Sequence, residues 1–304
     1  MAQHTVNNMD LSQYPKVDLA FIGGTGLSKV EGLSHIQTVE PFETPFGKPS
    51  SPIVIGHINN LCVAFLARHG LSHSIQPTDV PYRANIYALK MLGASYLVSF
   101  GAVGSLQEEL APKHFVVVDQ FIDRTKFRQS ENTFYDSEGL VAHVSFGEPT
   151  CKELSQLVLQ SCQQISEIPR VHSSGTYVCM EGPCFSSRAE SKMYRMWGGS
   201  IIGMTCLQEA KLAREAEMAF ACVAMVTDYD AWKDDAEPVT VEEVVKILHD
   251  NGDNGRRVIQ HVAANFNKFE SSAHSAMKYS LLKPASSLSD DLKKKYHAIL
   301  HKYY

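Results

Sequence analysis

Two aspartates, Asp228 and Asp230 in the string TDYD (227–230), directly follow a continuous apolar run from Met218 to Val226. A carboxylate issuing from such a run is hard to keep ionised. Its pKa rises, and it becomes a candidate general acid or a hydrogen-bond partner for a ligand. A plainer reading is open as well: Asp228 caps the next helix and Asp230 faces water. Other chemically useful residues also stand at the ends of apolar runs. Thr25 lies in GGTGL (23–27), Arg68 and His69 follow residues 61–67, Gly101 follows 96–100, and Thr205 closes 200–204. Glycines at such places allow close backbone approach and a nest of N–H groups for an anion, and the planar fork of Arg68 suits phosphate. GGTGL is neither the dinucleotide GxGxxG nor the phosphate-loop GxxxxGK[ST], and a tight turn needs glycine anyway. His69 and His73 have HxxxH spacing, but Gly70 opposes a helix and no HExxH glutamate is present, so no metal is expected. Thr205 can equally be only a helix cap, and Phe185 can stack on a planar ligand or fill the core. Taken together, these strand ends point to one composite site for a phosphate and an uncharged polar partner.

The elements that must hold these residues alternate in type. Strand patterns fall at residues 17–22, 52–58, 61–67, 96–100, 115–119, 175–180, 200–204 and 218–226, with Asn59-Asn60 turning a hairpin. Helical periodicity covers 80–92, 151–166, 208–217 and 241–266, and a further helix leads to Trp197 behind a cap at Ser186 or Ser187. Residues 121–136 read as a long irregular connection, of the kind that often carries function. Alternation of this kind predicts an α/β layer fold in which ligands gather at the carboxyl ends of strands.

The bulk properties exclude several classes. The 304 residues carry a net charge of −5, which gives no support to a nucleic-acid surface. No apolar run reaches membrane-spanning length, so no membrane partner is expected. Residues 1–16 are polar and read as a flexible tail, without the pattern of a signal peptide. Seven dispersed cysteines without a CxxC pair suggest reduced thiols and a cytoplasmic setting.

The strings GGTGL (23–27), TPFG (44–47), ARHG (67–70), DQFIDRT (119–125), EGP (181–183), FSSRAES (185–191), GMT (203–205) and TDYD (227–230) occur in order. They resemble the 5′-methylthioadenosine phosphorylases of the trimeric purine nucleoside phosphorylase family, over residues 17–284. The resemblance implies an α/β class fold: a single three-layer α/β/α domain around a mixed, partly barrel-like sheet. It also implies a homotrimer with active sites at subunit interfaces. Residues 285–304 then form a helical, basic C-terminal extension without an assigned role. By the same resemblance Thr25, Arg68, His69, Gly101, Ala102 and Thr205 surround phosphate. Met204, His73 and His143 line the sugar and its 5′ end, with His143 reaching in from a neighbouring subunit. Phe185 packs on the purine with Ser186 beside it, and Asp228 and Asp230 read its N6/N7 edge. Val241, Val244 and Val245, with Leu282 of an adjacent subunit, form an apolar 5′ pocket, although three valines can equally face the core.

The chemistry implied is phosphorolysis of a nucleoside, with inorganic phosphate as co-substrate and no cofactor. Positive charge develops on the ribosyl carbon and negative charge on the departing purine; phosphate serves as nucleophile and counter-charge. A carboxylic acid with a raised pKa can protonate N7, and a carboxylate accepts from the 6-amino group of adenine, whereas a 6-oxopurine prefers an amide. The sequence departs from the family pattern at Gly101, where a side-chain donor is common, at Cys184 (usually basic), at Gln208 (usually proline) and at Val245 (often leucine). A broader purine nucleoside phosphorylase acting on adenosine or 6-oxopurine nucleosides is the alternative; a hydrolase leaves the phosphate residues without a purpose.

Overall fold

In the computed structural model, residues 10–24, 30–135, 139–233 and 241–304 are described, apart from the side chains of residues 129 and 241–246. Thr25 therefore lies outside the described residues, as do the side chains of Val241, Val244 and Val245. Apolar alternation builds the first half of the sheet from β1 (Leu19–Gly23), β2 (Ser34–Val39), β3 (Ile53–Ile58) and β4 (Leu61–Ala67). Next come α1 (Tyr82–Met91), β5 (Tyr96–Ser105), β6 (Phe115–Val117) and β7 (Gln120–Arg124). These are followed by α2 (Lys152–Gln163), β8 (Val171–His172), β9 (Thr176–Met180), α3 (Arg188–Met196) and β10 (Ile201–Gly203). The chain ends with α4 (Cys206–Glu215), β11 (Ala219–Asp228), α5 (Val241–Asn265), α6 (Asp290–Lys295) and α7 (His297–Leu300).

The sheet is mixed and branches at β5. One path runs β2-β3-β4-β1-β5-β10-β9-β7, and a second leaves β5 through β11 to β6 and β8. Because β6 and β7 are consecutive in the chain, strands β5, β10, β9, β7, β6 and β11 form a ring closed by covalent continuity at residues 118–119. This ring gives the sheet its partly barrel-like character.

Alternate residues of the central strands face two separate cores. On β11, Phe220, Cys222, Ala224 and Val226 join one core with α1 and α4; Ala219, Ala221, Val223 and Met225 join the other with α2 and α5. A strand buried on both faces is continuous in its apolarity for this reason. Helices on both sides of the mixed sheet make the α/β/α arrangement.

Three segments differ from the sequence reading. Residues 121–124, read as part of an irregular connection, belong to β7: it pairs in parallel with β9, and that partner, not its own mixed polar composition, makes it a strand. The edge strand β2 carries exposed residues almost throughout and so has no apolar signal to read. Within the stretch read as a tail, Leu11 and Tyr14 pack against the first core. The C-terminal extension also enters that core, where Tyr296 and Leu300 are fully buried; Tyr87 donates its hydroxyl to the carbonyl of Lys295 at 2.7 Å.

Candidate active site

A cavity of about 460 Å³ opens where the carboxyl ends of the central strands converge. It is bounded by Gly24 at the end of β1, by Arg68 and His69 after β4, and by Phe100 to Gly104 of β5. Met204 and Thr205 after β10 and Asp228 and Asp230 after β11 complete its frame. Leu248 and Gly252 of α5 add a wall that the sequence reading did not anticipate. The strand ends identified by residue type thus share one space.

The acids owe their placement to an irregularity. β11 pairs with β5 in register from Ala219 to Val226, then slips so that Asp228, not Thr227, lies opposite Gly104. Such bulges re-aim side chains beside active sites. A Cβ on Gly104 would lie 3.0 Å from Oδ1 of Asp228 and 3.2 Å from Cβ of Asp230, so a side chain at this position would crowd the pair. Asp228 does not cap a helix: Tyr229 holds the N-cap position of the 3₁₀ turn that follows, without a side-chain bond. Oδ1 of Asp228 accepts the N–H of Asp230 at 2.8 Å, and its Oδ2 accepts from Thr227 Oγ1 at 2.7 Å. Asp230 does not face water. It is buried, with φ +45°, a left-handed conformation that a non-glycine residue adopts at a cost.

Burial pushes the Asp228 carboxyl above its ordinary pKa, against the opposing effect of Thr227 and the Asp230 N–H. Burial also raises Asp230; Ser191, the Ala231 N–H and Ser186 oppose the rise, and the neighbouring Asp228 charge adds to it. Among the described residues, Oδ2 of Asp230 is nevertheless buried without a hydrogen-bond partner of normal geometry. Ser186 is buried beneath this pair, with its hydroxyl 3.7 Å from Met180 Sδ, and is not part of the cavity wall. Ser187, not Ser186, caps α3, in a capping box with Glu190. Phe185 is 53% exposed and lines the cavity, so its core reading is set aside.

At the opposite end, the Arg68 guanidinium is almost fully buried and engaged. Nε and Nη2 donate to Glu209 at 2.5 and 2.9 Å, Nη2 also donates to Ser99 Oγ at 2.8 Å, and Nη1 to the carbonyl of Phe100 at 3.1 Å. Of five guanidinium N–H groups, these bonds leave one on Nη1. Arg68 was expected to offer an open fork; it offers a fixed charge and a single donor instead. Glu209 was missed by the sequence reading because a glutamate on a helix reads as solvated. Thr205 precedes α4, yet its side chain makes no capping bond, so the first-turn N–H groups of that helix carry no side-chain cap from it. His69 bonds through Nδ1 to the carbonyl of Ile75 at 2.8 Å, so Nδ1 carries the proton and Nε2 is an acceptor. Burial, then the Arg68 charge, hold its pKa down to about 4. His73 and Ala102 line the same cavity, and the backbone of Gly101 closes its floor over Cys206 Sγ.

His143 and Leu282 are not brought into this cavity. Both are exposed and sit together on an antiparallel bridge between Ala142 and Leu281, with His143 N bonded to Ser280 O at 2.8 Å. Exposed Val141 and Tyr279 share this ridge. Among the described residues no group of three or more metal-ligating side chains converges, and no helix is long and apolar enough to cross a membrane.

The profile of the Phosphorylase superfamily matches residues 18–264. The S-methyl-5′-thioadenosine phosphorylase of Gloeobacter violaceus is 48% identical over 95% of this chain and 97% of its own. A crystal structure of a methylthioadenosine phosphorylase from an antarctic soil metagenomic library superposes with a TM-score of 0.89 at 44% identity, covering 94% of this chain and all of that one. The methylthioadenosine phosphorylase of Schistosoma mansoni in complex with adenine gives 0.79 at 34% identity, over 88% of this chain and 99% of its own. The chain therefore belongs to the phosphorylase superfamily and, within it, to the methylthioadenosine phosphorylase family.

Proposed function

We propose that this chain cleaves 5′-methylthioadenosine with inorganic phosphate, releasing adenine and 5-methylthioribose-1-phosphate, and so acts as a pentosyltransferase in methionine and purine salvage. The observation that carries the reading is a single cavity bounded at one end by Arg68 and the start of α4 and at the other by two buried acids. Phosphate is held at the first end by the Nη1 donor of Arg68, the uncapped N–H groups of α4 and the hydroxyls of Thr205 and Thr25. His69, neutral with Nε2 as acceptor, takes an O–H from a monoprotonated phosphate or from ribose. The purine lies against Phe185, its N7 toward Asp228 and its 6-amino group within reach of the acid pair. As the glycosidic bond breaks, the proton of the raised Asp228 carboxyl passes to N7, and phosphate beneath the sugar meets the developing cation. No cofactor is needed beyond phosphate.

The assembly we propose is a homotrimer in which His143 and Leu282 serve a neighbouring subunit's 5′ pocket, joining Val241, Val244 and Val245 there. Their exposure on one ridge, away from their own cavity, supports this placement. All seven cysteines are unpaired, which suits a reducing cytoplasmic setting. Adenine release from 5′-methylthioadenosine, with and without phosphate, tests the reading. Strict phosphate dependence is expected, with 5′-methylthioinosine a poor substrate. Release without phosphate would make the protein a hydrolase.

A further inference from the structure

We infer that Arg128 and Glu181 are a positioning pair that sets the nucleoside wall of the cavity, an inference that rests on the function proposed above. The Arg128 side chain is completely buried and its donors fan out over separate chain segments. Nε reaches Glu181 Oε1 at 2.9 Å and Nη2 the Glu181 carbonyl at 2.5 Å; Nη1 serves the carbonyl of Met204, the Tyr82 hydroxyl and Gln208 Oε1. The Glu181 carboxylate collects Thr78 Oγ1 at 2.9 Å and the backbone N–H groups of Lys126 and Phe127 at 2.5 and 3.1 Å. One ion pair therefore binds together the chain at residues 78, 126–128, 181 and 204.

The cavity wall hangs on these points. Gln76, Pro77, Phe185 and Met204 line it, and each lies on or within four residues of an anchored position. Met204 packs so closely on Gly182 that a Cβ there would fall 2.5 Å from its Sδ, so a shift of either backbone moves the thioether in the cavity. Stability alone does not call for this arrangement, because an apolar pair of similar volume usually packs as well as a buried ion pair. What the ions add is direction: each bond fixes one backbone or side-chain group. Gln208 extends the fan by donating to Thr125 Oγ1 at 3.1 Å. Arg68, at the other end, bonds to Glu209, Ser99 and Phe100, none of them a partner of Arg128. The two guanidiniums thus have different partners, although the Met204 carbonyl and Gln208 also join Arg128 to the start of α4.

The test uses full-length Arg128→Lys, Glu181→Gln, Glu181→Ala and Gln208→Met proteins, with thermal melts to show that each is folded. Initial rates are measured with 5′-methylthioadenosine and phosphate varied in turn. In Arg128→Lys the KM for the nucleoside is expected to rise about 10-fold and kcat to fall about 10-fold, while the KM for phosphate stays within about twofold. Glu181→Gln, which keeps an acceptor, is expected to recover much of what Glu181→Ala loses, and Gln208→Met to show a smaller change of the same kind. A parallel rise in both KM values, or folded variants with unchanged nucleoside KM, would overturn the inference. If Arg128→Lys does not fold, the Glu181 and Gln208 variants decide by the same criterion. If wild-type protein shows no phosphate-dependent turnover, the proposed function fails instead. Calorimetric binding of adenine, expected to be about 10-fold weaker in Arg128→Lys, then decides the positioning role, and equal affinity would end it.

Discussion

Replacing Asp228 with asparagine removes one proton-donating group and leaves the local structure its shape. In the native protein Oδ1 accepts from the Asp230 N–H and Oδ2 from Thr227 Oγ1, while that same hydroxyl also lies 3.1 Å from the carbonyl of Val103. An asparagine oxygen keeps the first bond. Its amide nitrogen can donate to Thr227 Oγ1 once the hydroxyl proton turns fully to Val103. Folding stability is therefore expected to change by no more than about 1 kcal/mol. Catalysis is a different matter, because an amide cannot give a proton to N7. Loss of a general acid is worth about 10²- to 10⁴-fold, or about 3–5 kcal/mol of barrier. The amide also presents an N–H where adenine needs an acceptor, so activity toward 5′-methylthioinosine is expected to gain relative to 5′-methylthioadenosine. The assay is phosphate-dependent base release from both nucleosides, with a riboside whose leaving group needs no proton as control. That control is expected to lose far less than the adenine nucleoside. Near-normal adenine release by the Asp228→Asn protein, or an equal loss on the control substrate, would refute Asp228 as the acid.

Three further outcomes follow from burial. Because the proposed reaction uses Asp228 in its protonated form and its pKa is raised, kcat/KM for 5′-methylthioadenosine is expected to fall as pH climbs through the carboxyl's folded value; the pH–rate profile of Asp228→Asn is expected to lack that limb. Glu215 is buried and its pKa is pushed from 4.5 up to about 7. Its contribution to stability is complete below its unfolded value and is lost as pH rises through about 7. Between pH 5 and 8, wild-type protein is therefore expected to lose on the order of 3 kcal/mol relative to Glu215→Gln, as measured by urea unfolding. Leu300 is fully buried in the first core, so Leu300→Ala is expected to cost about 2–5 kcal/mol in the same assay, whereas a loosely attached tail would cost nothing.

The sequence carried the central strands clearly, because a strand with two cores to fill has to be apolar at every position, as β11 is from Ala219 to Val226. It carried the chemistry of strand ends for a related reason: polar residues that interrupt such runs stand out. What stayed illegible depended on pairing between distant residues. β7 is a strand through its partner β9, and β2 lies at an edge with hardly any buried side chain. Glu209 and Arg128 look solvated in isolation, yet each is buried because an opposite charge far along the chain meets it. The register slip before Asp228 left no trace in residue types apart from the glycine at 104, whose need is visible only when the acids are in place.

The local bonding of Asp228 and its burial are parts of one arrangement. Its bond from the Asp230 N–H closes a tight turn, and that turn places Asp230 in its left-handed conformation with its carboxyl buried beside the first. Desolvation of both acids then follows from the local backbone. The same bond made in solvent would leave an ordinary carboxylate. Formed at the end of a doubly buried strand, against a glycine on the adjacent strand, it leaves a desolvated carboxyl of the kind the proposed proton transfer requires. The local bonding of Asp228 is therefore a condition of its proposed chemical role, and the two are expected to separate only in a substitution such as asparagine that keeps the first and abolishes the second.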